Sequence, residues 1–89
     1  MTLQQLRYVI AIADNKSINK AAGLLFMSQP ALSDSIKEVE NEIGISIFER
    51  TNKGVSVTPD GSEFMSYARQ MIEQYSLIED RYVNKIRKE

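Results

Sequence analysis

The segment from Ser17 to Gly44, SINKAAGLLFMSQPALSDSIKEVENEIG, leaves the fold little freedom, because it holds two short helical stripes with one interruption between them. Apolar residues recur at Ile18, Ala21, Ala22, Leu25 and Phe26, and again at Leu32, Ile36, Val39 and Ile43. Each set falls on one helix face, so the pattern predicts helix, tight turn, helix. Ser28 is placed to cap the second helix, and Pro30 lies in its first turn, where a missing N–H costs nothing. Gly44 ends it, since glycine takes the left-handed backbone that closes a helix without a steric penalty. Phe26 and Met27 sit at the turn and are expected to complete the interior rather than to offer a stacking surface for bases. Turned away from the stripe are Gln29, Ser33 and Lys37, four residues apart, forming a narrow polar ridge.

An amide, a hydroxyl and an amine at the capped end of a helix suit the reading of DNA. Gln can pair with the adenine edge in the major groove, Ser is permissive, Lys reaches guanine or phosphate, and the helix N-terminus itself favours an anion. Taken alone, the same ridge describes an ordinary helical hairpin with a solvated face.

Further residues match a known pattern. The run AAGLLFMSQPALSDSIKEVENEIGISIFERTNKGVSVTPDG resembles the amino-terminal winged helix-turn-helix of the LysR-type bacterial transcription regulators. The matching features are Ala21-Ala22, the entry Ser28-Gln29-Pro30-Ala31-Leu32-Ser33, Glu40 ahead of Ile43-Gly44, Phe48-Glu49-Arg50, and Thr58 with Gly61. The likeness runs from Leu3 and Leu6 to the long final helix. It implies a mainly α fold, a three-helix core with a two-stranded β wing followed by a linker and dimerisation helix. It also implies a dimeric or tetrameric regulator of double-stranded DNA, in which a small-molecule effector binds a carboxy-terminal domain that this chain lacks. On this reading residues 1–58 are the DNA-binding domain, with the helix-turn-helix at about 18–37 and the wing at about 46–58. Residues 59–89 are the linker helix, and helix 28–43 reads the major groove.

Composition narrows the alternatives. With 89 residues there is room for one small domain, which buries only about 60% or slightly more of its unfolded surface and leaves no space for a large catalytic cleft. There is no Cys and no His, which removes thiol chemistry, the usual zinc ligands and the commonest general base. No nucleophilic triad, phosphate-cradling loop or metal spacing is present, so neither an enzyme nor a cofactor or metal site is expected. The longest purely apolar run, Val9 to Ala13, is too short for a signal-peptide core or a membrane span, so the cytoplasm is the expected compartment. Net charge is −1 and pI is near 5.5, which weighs mildly against a nucleic-acid ligand. Position offsets this, since Lys16, Lys20, Lys37, Arg50 and Lys53 cluster near the proposed face while Glu38, Glu40 and Glu42 lie in the far half of the reading helix. The acidic pI also admits a second reading, a winged-helix protein-interaction and dimerisation module that binds no DNA.

Thr2 and Gln5 form a capping-box pattern, so the first helix starts almost at once, burying Leu3, Leu6, Val9, Ile10 and Ala13 and ending at Asp14-Asn15-Lys16. Ser17 caps the next helix. After Gly44, Ile45 and Ile47-Phe48 alternate with Ser46 and Glu49, and Val55 and Val57 alternate with Ser56 and Thr58. Period two predicts a hairpin turning at Thr51-Asn52-Lys53-Gly54. Arg50 and Lys53 near its tip are placed to meet the phosphate backbone or the minor groove. As alternatives, either could be a charge that protects a strand edge, and Arg50 could brace the wing against a carboxylate. Thr58-Pro59 opens a last helix whose residues Phe64, Ala68, Met71, Tyr75, Ile78 and Tyr82 follow steps of four and three, a heptad seam that Ile72 and Leu77 thicken. Packing on the first helix could bury its first turns, but a helix of about thirty residues spans roughly 45 Å, so the seam calls for a second copy of the chain. The basic end Lys85, Arg87 and Lys88, with no Gly or Pro terminator, reads as a helix that continues as a linker.

One position departs from the family, where Asp34 stands in place of a usual basic residue. It could accept from a cytosine amine, turn aside, or pair with Lys37 one turn away; the pair is the favoured expectation.

Overall fold

Every helix begins where a side chain can take up its free N–H groups. In the computed structural model, which describes residues 1–84, Thr2 Oγ1 accepts from the Gln5 N–H at 3.0 Å while Gln5 Oε1 accepts from the Thr2 N–H at 3.0 Å, closing the capping box of α1 (Leu3–Asn15). Ser17 caps α2 (Ile18–Leu24) and Ser28 caps α3 (Gln29–Ile43), each by accepting from an N–H three residues on. Gly44 closes α3 with a φ of 76°, as its position foretold. The strands β1 (Phe48–Thr51) and β2 (Gly54–Val57) pair antiparallel around a tight turn at Asn52-Lys53, with Phe48 opposite Val57 and Arg50 opposite Val55. Thr58 caps α4 (Pro59–Ile78), which runs on into a π-helical turn over Glu79–Val83. The architecture is therefore mainly α, a winged helix-turn-helix with a long final helix. Lys85, Arg87 and Lys88 lie outside the described residues.

The core gathers Val9 and Ile12 of α1, Ala21 and Ala22 of α2, Leu32, Ile36 and Val39 of α3, Ile47, and Met65 of α4. Two alanines in α2 let it approach its neighbours closely. The buried face of α1 is centred on Leu6, Val9 and Ile12, whereas Ile10 and Ala13 are only partly covered. Ile12 and not Ile10 lies at the centre of the α1 face that α2, α3 and α4 together enclose.

Two expectations fail here. Phe26 does not enter the core; it is 96% exposed, because the chain reverses through a left-handed φ of 55° at that residue and sends Met27 inward instead. The heptad seam of α4 also divides. Gly61, Met65 and Ala68 are buried, Ala68 at 3% exposure, and Phe64 packs beside them against the core. These first turns serve the chain's own interior, in which Ala68 is enclosed while Phe64 keeps part of its surface open beside Tyr67. Tyr67, Met71, Tyr75, Ile78 and Tyr82 form a separate exposed stripe, with Leu77 also exposed and Ile72 half-buried. It is turned from the buried set by about a quarter of the helix circumference.

Gly61 shows how tight the join is. A β-carbon there would overlap the backbone of Ile47, with the Ile47 carbonyl oxygen nearest. Neither partner is a flexible side-chain end that could move aside. Gly61→Ala should lower unfolding stability by about 1–3 kcal/mol despite alanine's better helix propensity, a loss to be read from urea titration.

Candidate nucleic-acid interface

Residues from three elements meet on one concave surface. A hollow between the N-terminus of α2, the N-terminus of α3 and the wing is lined by Ser17, Asn19, Gln29, Arg50, Thr51 and Asn52, with Ile18, Gly54 and Val55 at its base. A narrower cleft continues from it along α3, lined by Ser33, Lys37 and Glu40 on one side and Phe48, Arg50 and Val55 on the other. Arg50 borders both. Gln29, Ser33, Lys37 and Arg50 thus share a continuous surface, and Lys53 stands exposed at the wing tip between two residues that line the hollow.

The ridge of α3 is internally organised. Gln29 Nε2 donates to Ser33 Oγ at 2.7 Å, one turn along, and both side chains are half-buried. The amide is thereby oriented before any ligand arrives, with its carbonyl oxygen left to accept. Ser28 uses one acceptor site of its hydroxyl on the helix cap, accepting from the Ala31 N–H at 3.2 Å, and keeps its O–H and one lone pair for a ligand. Pro30 is exposed in the first turn and presents only apolar surface. Asp34 and Lys37 are both exposed, and no ion pair joins them among the described residues, contrary to expectation. In water such a pair is worth only a few tenths of a kcal/mol, less than the side-chain entropy it would cost. Arg50 likewise makes no salt bridge among the described residues, so it does not brace the wing against a carboxylate.

The bracing carboxylate is Glu40, and it acts on backbone. Its Oε2 accepts from the Ile47 N–H at 2.7 Å and the Phe48 N–H at 3.4 Å, fixing the start of β1 to α3. In the sequence Glu40 stands out only as a charge and a family match, one turn before a helix-ending glycine, and nothing local ties it to the wing. A second tie comes from the α1–α2 corner, where the Lys16 carbonyl accepts from the Val55 N–H at 3.2 Å. Gly54, with a φ of 131°, passes so close to that carbonyl that no side chain fits. The hollow-lining residues Ser17, Asn19, Thr51 and Asn52 were also missed, because only the folded wing brings them beside Gln29.

With this geometry in hand, known proteins give a consistent comparison. Residues 3–62 match the family model described as bacterial regulatory helix-turn-helix protein, lysR family. The chain belongs to the LysR family. It is 46% identical over 71 residues to a probable RuBisCO transcriptional regulator of Trieres chinensis, covering 80% of this chain and 23% of that one. Against the HTH-type transcriptional regulator BenM of Acinetobacter baylyi it is 40% identical over 72 residues, 81% of this chain and 24% of that one. The LysR-family chain thus spans about a quarter of the length of these curated relatives, which are regulators of transcription and not enzymes. Among solved structures, the BenM_DBD/catB site 1 DNA complex superposes with a TM-score of 0.88 at 34% identity, over 100% of this chain and 99% of that one. CbnR, a LysR family transcriptional regulator, gives 0.85 at 32% identity, over 91% of this chain and 28% of that one. No helix among the described residues is long and apolar enough to cross a membrane.

The Glu40 tie carries an expectation for the wing. Glu40→Ala leaves the Ile47 and Phe48 N–H groups without their acceptor and should cost about 1–3 kcal/mol of stability, with faster hydrogen exchange at those two amides than at Leu32 or Val39.

Proposed function

We propose that this domain binds double-stranded DNA in a sequence-specific manner, as the reading head of a bacterial LysR-type transcription regulator working in the cytoplasm. What supports this most is the shared concave surface on which the first turns of α3 and the wing present Gln29, Ser33, Lys37 and Arg50 together. A duplex inserted there receives base contacts from α3 and backbone contacts from the wing. Gln29, with its amide oriented by Ser33, reads a base edge; Ser28, Pro30 and Ser33 line the entry; Lys37, Arg50 and Lys53 meet phosphates. Asp34, exposed and unpaired with Lys37, accepts from a cytosine amine or weakens binding to random sequence.

Dimerisation accompanies this role. The exposed stripe of Met71, Tyr75, Ile78 and Tyr82, joined by Ile72, is assigned to a second copy of the chain, which would hold two reading helices about one turn of DNA apart. Residues 1–58 form the reading head in this scheme and 59–89 the linker helix, with the first turns of α4 lent to the head's core. Effector sensing and assembly into tetramers are assigned to the longer regulator of which such domains are a part.

Selection of bound sites from a random duplex pool tests the reading directly, and a two-fold symmetric consensus is the expected result. On the selected site Gln29→Ala should cost about 1–3 kcal/mol and on unrelated duplex almost nothing. By contrast, Lys53→Ala should weaken all duplexes and reduce the slope of log affinity against log salt by about 0.9. No retention of any duplex at micromolar protein and low salt would favour the interaction-module reading instead. Ile78→Asp, at an exposed position, should leave folding intact and shift sedimentation from dimer to monomer.

A further inference from the structure

Phe26 is the most exposed of the large apolar side chains among the described residues, and its backbone is held in place by the turn it occupies. The Phe26 N–H donates to the Gly23 carbonyl at 3.3 Å and the Met27 N–H to the Ala22 carbonyl at 3.1 Å, so the residue is locked into its left-handed turn with φ of 55°. Glycine or asparagine would hold that turn with less crowding, and either would spare the exposure of an aromatic ring. A residue that opposes stability twice over marks a position held for contact.

The contact follows from place. Phe26 precedes the α3 cap Ser28 by two residues, which puts its Cα within about 7.5 Å of the Ser28 Cα. A helix entering a major groove roughly 12 Å wide is walled on both sides by sugar and phosphate, and a residue just ahead of its first turn meets the wall before the floor. A phenyl ring has no hydrogen-bond donor for a phosphate oxygen, and the apolar surface of that wall is the deoxyribose. We infer that Phe26 is a further DNA-contacting residue, packing its ring on a deoxyribose at the groove wall beside the base pair that faces Gln29. The inference rests on the DNA-binding reading above. Such a contact carries no charge and reads no base; it positions the helix.

The test compares variants of the chain on two duplexes, one selected from a random pool and one unrelated of equal length, across a series of salt concentrations. Phe26→Asn keeps the left-handed turn and removes the ring. It should weaken both duplexes by a similar factor, roughly fivefold, with the salt slope unchanged and the thermal midpoint equal or higher. Phe26→Leu should retain most of the parent affinity. This signature differs from that of Gln29→Ala, confined to the selected site, and from that of Lys53→Ala, which alters the salt slope. Parent-like binding of Phe26→Asn to both duplexes, while Gln29→Ala still loses the selected one, would overturn the Phe26 contact and leave the DNA reading standing. Loss on the selected duplex alone would also overturn it, by indicating a base contact. Failure of the parent chain to bind either duplex would end both.

Discussion

Three parts of the molecule are joined at one residue, Ile47. Its side chain is wholly buried in the core. Its N–H is held by Glu40 from α3, its carbonyl accepts from the Thr58 N–H at 2.9 Å, and Gly61 of α4 lies directly against it. The helix α3, the wing and α4 therefore have their relative positions set within one residue's span. A small domain with a small core gains from this economy, since each backbone group satisfied there also fixes an angle between elements.

The wing shows why such ties matter. A two-stranded hairpin is marginal by itself in water. Here it is anchored at its entry by Glu40, at its exit by Thr58, and along its second strand by the Lys16 carbonyl. Arg50, with no ion pair among the described residues, can then be offered to the hollow, because the strand beneath it does not depend on its charge. Surface ion pairs contribute much less: Arg69 to Asp14 at 2.7 Å is half-exposed at both ends, and such pairs are commonly worth under about 1 kcal/mol.

How far the sequence could be read depended on the range of the forces involved. Caps and stops are local, so Thr2 with Gln5, Ser17, Ser28, Gly44, and Thr58 with Pro59 marked the element ends where the structure has them. The fold class followed from those ends and the two periodicities. What could not be read was decided by other elements. Phe26 has the spacing of a core residue and is turned out by a chain reversal that periodicity cannot register. Ile12 outranks Ile10 only once α2, α3 and α4 are in place. Glu40 looks like a solvated charge until β1 arrives beside it. The apolar residues of α4 read as one seam because a heptad pattern does not distinguish a helix with one neighbour from a helix with two.

That last feature has a mechanical side. Since the first half of α4 is part of the core, the shaft cannot swivel against the body without unpacking Met65 and Ala68. Farther along, Arg7 of α1 lies 5.5 Å from the Tyr75 ring centre and 3.7 Å from Glu79, a weak second contact with the shaft just where the π-helical turn begins. A twist applied to the far end of α4 therefore meets α1 first, since that is the helix against which α4 packs most extensively.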